Sequence, residues 1–319
     1  MIFEKQVINI YKSMICTRCD DTETVFYYSA DDFEGLMCES YKFTSSQGHT
    51  LQGYIYNYDN FREGRLVVFD HGFGGGHRAY MKEIELLCRH GFQVFSYDHT
   101  GCMESGGESA GGLSQSLCDL NDCLTTIKAD SRFSDVDISV MGHSWGGFST
   151  LNITAFHPDV SHIVVLSGFV SVPEIIKTFF PGPLKAYHKA IYDLEKQSNP
   201  VFSKYNAVDT LSDSDVKALL IYSDNDKLVR KVHYDILKNG LDAKENINLV
   251  LVNGKSHNPN YTENAIKLLV EFSSARTKFL KNKNATQEDK QKFVKSFDWD
   301  AITEQDENVW NTIFEHLDK

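Results

Sequence analysis

The sequence predicts an α/β fold built on a mostly parallel sheet, and three observations carry that expectation. Short, continuous apolar runs recur at Leu66-Val-Val-Phe69 and over residues 92–97, 136–141, 162–166, 218–222 and 247–252. Runs of that length without polar alternation mark strands covered on both faces. Segments of helical length separate most of them, and strands alternating with helices of ten or more residues give right-handed βαβ units and a parallel sheet. The runs also end in glycine-rich or polar loops, where such a sheet collects its chemistry.

Taken in order, residues 1–40 read as an N-terminal extension with an amphipathic opening helix and a strand over residues 24–28, and carry no assignable chemistry. Over residues 41–58 apolar and aromatic residues alternate around a Ser46-Gln-Gly-His49 turn, which predicts an antiparallel hairpin at a sheet edge. The core proper spans 41–280. It runs from the strand at 66–69 through the loop Asp70-His-Gly-Phe-Gly-Gly-Gly76, a helix at 79–90 and the strand at 92–97. A glycine-rich loop over 101–112, a helix at 114–128 and a strand at 136–141 complete the next unit. Within 171–211 the alternation stops, and Pro173, Pro181, Pro183 and Pro200 with many aromatics indicate a helical insertion over the sheet. Two more strands and a helix at 261–279 follow. Residues 281–319 form a C-terminal extension with a polar linker at 281–286. There Val309, Trp310, Ile313, Phe314 and Leu317 fall at helical spacing, as expected of a terminal helix packed on the core, and Thr303 with Asp306 resembles a capping box.

Composition narrows the function. The chain has 319 residues, enough for one large or two ordinary domains, and 44 acidic against 32 basic residues give a net charge of -12. That charge disfavours nucleic acid and anionic membrane surfaces as partners. Seven cysteines, an odd number without framework spacing, suit free thiols in a reducing, cytoplasmic setting. Cys16-Thr-Arg-Cys19 has C-x-x-C spacing, but no second pair follows at zinc-site distance, so neither a metal nor a cofactor is expected. No stretch has the length and apolarity of a membrane span or of an export signal.

The stretch Ser139-Val-Met-Gly-His-Ser-Trp-Gly-Gly-Phe148 places a serine between glycines where a strand ends and a helix begins. A sharp strand-to-helix turn projects a serine hydroxyl free of its neighbours only if flanking side chains are minimal. Ser144 is therefore the candidate nucleophile. A base must take its proton, a carboxylate must orient that base, and donors must hold an oxyanion. His257, in Gly254-Lys-Ser-His257 just past the last strand, is the candidate base; His157, His162, His188 and His233 lie in helical or insertion contexts and have weaker claims. Ser223-Asp-Asn-Asp226 after its strand offers the acid, Asp226, with Asp224 as competitor. Backbone N–H groups of Trp145 and Phe73 are the candidate oxyanion donors, with Gly72, Gly74, Gly75 and Gly76 allowing close approach. The same glycines lack the Lys-Ser or Lys-Thr of a phosphate-binding loop.

His71-Gly72-Phe73-Gly74, Gly142-His-Ser-Trp-Gly146, Asp226 and His257, in the order nucleophile, acid, base, resemble the alpha/beta-hydrolase superfamily over roughly residues 41–280. The resemblance implies an eight-stranded sheet, the triad Ser144, Asp226 and His257, and a lid in the insertion. Among its subgroups the chain is most similar to small-lid bacterial hydrolases of the serine aminopeptidase and monoacylglycerol lipase type. Their D-x-R-G-x-G-x-S motif corresponds to Asp98-His-Thr-Gly-Cys-Met-Glu-Ser105, which keeps Asp98, Gly101 and Ser105 but has Thr100 and Met103 where arginine and glycine are usual. Relatives with an aspartate nucleophile are disfavoured by Ser144. The expected activity is cofactor-free cleavage of carboxylic esters of an apolar acyl or alcohol group. Peptidase, thioesterase or acyltransferase chemistry on the same triad is the alternative, and a non-catalytic binding protein on this fold the reading from another class.

Overall fold

In the computed structural model, which describes residues 3–319, the apolar runs all become strands of one sheet. These are β1 (Met37–Thr44), β2 (Thr50–Asn57), β3 (Arg65–Asp70), β4 (Gln93–Tyr97), β5 (Asp137–His143), β6 (His162–Leu166), β7 (Lys217–Ser223) and β8 (Ile247–Val252). Their order across the eight-stranded sheet is β1-β2-β4-β3-β5-β6-β7-β8. The hairpin β1–β2 is antiparallel and forms one edge, β2 runs antiparallel to β4, and every pairing from β4 to β8 is parallel.

Twelve α-helices connect and cover these strands among the described residues: α1 (Glu4–Ile15), α2 (Met81–Arg89), α3 (Gln115–Ala129), α4 (Ser144–Asn152), α5 (Val172–Phe179), α6 (His188–Ser198), α7 (Ala207–Ser212), α8 (Val232–Leu241), α9 (Glu263–Phe279), α10 (Gln287–Lys295), α11 (Trp299–Ile302) and α12 (Glu307–Leu317). Because side chains alternate across a strand, successive residues enter different layers. Val68, Val140 and Val165 join the layer holding α1, α3, α4 and the insertion helices α5 and α6. Val67, Phe69, Met141 and Val164 join the layer of α2 and α12. Both faces of the central strands are therefore dry, which is why those runs lack polar alternation.

Two local expectations are corrected. Residues 24–28 form no strand: the Tyr27 and Tyr28 carbonyls accept from the Arg78 guanidinium at 3.0 and 3.2 Å, and Phe26 meets Trp299 at 6.2 Å. The Arg78 guanidinium satisfies these carbonyls in place of a ladder, and Phe26 turns its ring toward the C-terminal extension. Nor do Thr303 and Asp306 form a capping box. Asp306 alone caps α12, accepting from the Asn308 and Val309 N–H groups, while Thr303 ends α11 and its hydroxyl donates to the Trp299 carbonyl at 2.7 Å. The apolar stripe of α12 does pack on the core, with Trp310, Ile313 and Leu317 buried.

Candidate active site

Strand β5 passes into α4 with no intervening residue, and Ser144 takes up the whole change of direction at φ 55°. A left-handed backbone at a non-glycine residue costs on the order of 1–3 kcal/mol and persists only where its surroundings impose it. Its neighbours show what imposes it. A Cβ at Gly146 would lie 2.0 Å from the Asp70 carbonyl oxygen, and one at Gly142 would lie 2.3 Å from both the Gly146 carbonyl oxygen and the Thr150 hydroxyl. Both positions admit only glycine, and β3 and α4 lock the turn from either side.

The structure brings Ser144, His257 and Asp226 together from the ends of β5, β8 and β7. Ser144 Oγ lies 2.8 Å from His257 Nε2, and His257 Nδ1 lies 2.7 Å from Asp226 Oδ2. Oδ1 of Asp226 accepts from the Leu228 and Val229 N–H groups at 2.8 and 3.0 Å. Burial works to raise the Asp226 pKa, but hydrogen bonds from His257 and these two amides outweigh it and hold the carboxyl below its ordinary value. An ionised Asp226 can only accept, so His257 carries its proton on Nδ1 and turns the Nε2 lone pair toward the Ser144 hydroxyl. The competitor, Asp224, points elsewhere: its Oδ1 accepts from the Gly254 N–H at 2.9 Å.

A second histidine, which the sequence reading missed, steadies the base. The Gly72 N–H donates to Tyr80 Oη at 3.0 Å, Tyr80 Oη lies 2.8 Å from His143 Nδ1, and His143 Nε2 lies 2.8 Å from the His257 carbonyl oxygen. A carbonyl only accepts, so the direction of every proton in this chain is fixed. Burial, reinforced by the neighbouring His257, lowers the His143 pKa to about 3 and keeps the ring neutral, as the chain requires. Glycine at 72 is needed because a Cβ there would meet Tyr80 Oη at 2.4 Å. Tyr80→Phe strands a buried imidazole acceptor and a backbone donor; it is expected to destabilise by about 1–3 kcal/mol, seen as a lower urea midpoint at unchanged slope.

The glycine loop after β3 is anchored at both ends. His77 donates from its backbone N–H and sets Nδ1 against Asp98 Oδ1, at 2.9 and 2.8 Å. Gly76, at φ 62°, leaves no room for a Cβ, which would sit 2.6 Å from the same Asp98 oxygen. At the other end the buried Asp70 accepts from Tyr97 Oη at 2.8 Å and from the Ser149 hydroxyl, with His99 Nε2 at 2.9 Å. His99 Nδ1 also sits 3.3 Å from Asp119; neither contact is aligned as a hydrogen bond. Burial works to lower the His99 pKa, but the carboxylates of Asp70 and Asp119 overcome it and raise it to about 10. Where the D-x-R-G pattern departs, Thr100 donates from both its N–H and its hydroxyl to Asp119, each at 2.8 Å.

Ser144 and His257 open into a cavity of about 240 Å³. Phe73 and Trp145 line it and meet edge to face at 5.0 Å. The rest of its wall is largely apolar: Ile15 from α1, Leu113 just before α3, Phe169 after β6, Ile175 and Phe179 from α5 of the insertion, and Leu228 with Val229 from the loop of the acid. Of these, only Phe179, one of the insertion aromatics, had a signal in the sequence. Ile15 lies about 130 residues before the elbow and had none.

Residues 62–248, more than half of the chain, match the serine aminopeptidase S33 family. No curated protein sequence matches. Among solved structures, an esterase from Pyrococcus furiosus superposes with a TM-score of 0.59 at 19% identity, covering 81% of this chain and 96% of its own. An alpha/beta hydrolase from Penicillium sp. sh18 gives 0.53 at 19% identity, covering 69% of this chain and 91% of its own. At such identities these likenesses speak to the fold alone. The chain belongs to the serine aminopeptidase S33 family of the alpha/beta-hydrolase superfamily.

Proposed function

We propose that this protein is a serine hydrolase that cleaves carboxylic esters bearing an apolar acyl or alcohol group. The observation that carries this reading is the hydrogen-bonded run Ser144–His257–Asp226 at the base of a largely apolar cavity. Ser144 Oγ attacks the ester carbonyl as His257 Nε2 takes its proton, and the Phe73 and Trp145 amides receive the oxyanion. Collapse expels the alcohol, protonated by His257, and leaves an acyl-enzyme. Water, deprotonated by the same imidazole, then attacks it and releases the acid. Asp226 fixes the imidazole and stabilises its cationic form throughout.

Peptidase chemistry on the same groups is the second reading, and the family match favours it. An aminopeptidase must hold a substrate ammonium, for which a carboxylate is the usual partner. Among the described residues, none lining this cavity is acidic. Esters are therefore expected to exceed matched aminoacyl p-nitroanilides in kcat/KM by more than about 10-fold, the scale on which an unmet polar group is rejected. Turnover assays on both series decide it, and a preference for the anilides would transfer the protein to peptidase chemistry. The seven unpaired cysteines support a reducing, cytoplasmic setting. No helix among the described residues is long and apolar enough to cross a membrane.

A further inference from the structure

We infer that the N-terminal helix is a fixed wall of the acyl pocket and that Ile15 sets the length of acyl chain accepted. This rests on the ester-hydrolase reading above and assigns it a substrate class, esters of short to medium-chain carboxylic acids. The family match begins at residue 62, so α1 lies outside the matched residues, yet its last residue, Ile15, is buried and lines the cavity beside Ser144.

Residues 11–19 are stitched to the body of the protein. Tyr11 is fully buried and donates its hydroxyl to Glu195 of α6. Burial raises the Glu195 pKa, and hydrogen bonds from Tyr11 and from Leu113 and Ser114 oppose that rise. The same carboxylate accepts from the Leu113 and Ser114 N–H groups at 3.0 and 3.3 Å, and Leu113 is itself a wall residue. A Cβ at Gly112, whose φ is 120°, would lie 2.6 Å from Glu195 Oε1, so the close approach demands glycine. Beyond Ile15, the Cys19 N–H donates to the Gly101 carbonyl at 2.8 Å and the Ala110 N–H to the Thr17 carbonyl at 3.2 Å. Arg18 donates to the carbonyls of Met103, Ser105 and Gly107. One buried carboxylate thus joins α1, the segment Leu113–Ser114 that leads into α3, and the insertion, and the Ile15 side chain is held in place against the cavity.

The volume sets the scale. A cavity of about 240 Å³ holds roughly eight groups of the size of a water or a methylene, at about 30 Å³ each. Ile15→Ala removes three carbons from the wall, and Ile15→Trp adds bulk to it. A single methylene in such a pocket is worth about 10- to 200-fold.

The test measures kcat/KM for p-nitrophenyl esters from acetate to dodecanoate, and in parallel the rate of Ser144 phosphonylation by p-nitrophenyl alkylphosphonates of the same lengths. In the parent both profiles should fall beyond about eight carbons. The decanoate-to-acetate ratio should rise about 10-fold or more in Ile15→Ala and fall by a similar factor in Ile15→Trp. Ile15→Val, which keeps the helix packed, should move the ratio in the alanine direction by a smaller amount. Tyr11→Phe, which releases the tether, should flatten the profile. A merely structural role for α1 would lower all chain lengths alike, and ratios unchanged in folded Ile15 variants would overturn the inference. Chain-length-dependent phosphonylation without ester turnover would sink the ester reading and leave the pocket assignment standing; no phosphonylation of the parent at Ser144 would sink both.

Discussion

Ser144→Ala is expected to lower kcat/KM for p-nitrophenyl acetate by about 10⁴- to 10⁶-fold, the loss seen when a nucleophile that works as a unit with its base is removed. Folding should be nearly untouched. Alanine keeps the Cβ that already tolerates φ 55° at this position, and the locks at Gly142 and Gly146 do not involve the hydroxyl. The lost contact is one hydrogen bond, to His257, so the stability change should stay within about 1 kcal/mol. Initial-rate assays with a urea melt on the same preparation separate the two effects. Retained activity in a folded variant would remove the elbow from the chemistry.

Asp226→Asn should lower kcat by about 10³- to 10⁴-fold, through the tautomer of His257 more than through charge alone. The Leu228 and Val229 amides require an acceptor at this side chain, so an asparagine would give them its oxygen and turn its NH₂ toward His257 Nδ1. His257 would then carry its proton on Nε2, facing Ser144, and could not accept from it. Asp224→Asn keeps a carbonyl oxygen for the Gly254 N–H and should change kcat by less than about 3-fold, as expected of a position outside the constellation. Stability against pH gives an independent reading. The folded Asp226 pKa is depressed, so its contribution is present above the ordinary carboxylate value and is lost as pH falls through the lower, folded one. The asparagine variant should lack that component of acid sensitivity. An Asp224 variant as damaged as the Asp226 variant would reassign the acid.

The strands, the elbow and the three residues now within hydrogen-bond reach were legible because each obeys a local rule. Apolar runs covered on both faces, glycines flanking a serine, and polar residues just past strand ends all leave marks within a few residues of themselves. The remainder depends on contacts distant in sequence. His143 carries no local mark of its role, since its partner Tyr80 lies 63 residues away. Ile15 and Tyr11 gained meaning only from Leu113 and Glu195, with Tyr11 and Glu195 184 residues apart. Residues 24–28 had the composition of a strand, and the Arg78 guanidinium on the Tyr27 and Tyr28 carbonyls, with Phe26 set against Trp299, takes the place of a ladder. Thr100, a departure from the family's pattern, proved to be matched by Asp119 nineteen residues on.

The central claim is that Ser144 is a nucleophile activated by His257. Treating the folded protein with a fluorophosphonate and mapping the adduct by peptide mass spectrometry tests it most directly. One adduct per chain, on Ser144, lost in His257→Ala and lost on unfolding, is the expected result. Labelling of another residue, or an unmodified Ser144 in folded protein, would contradict the account.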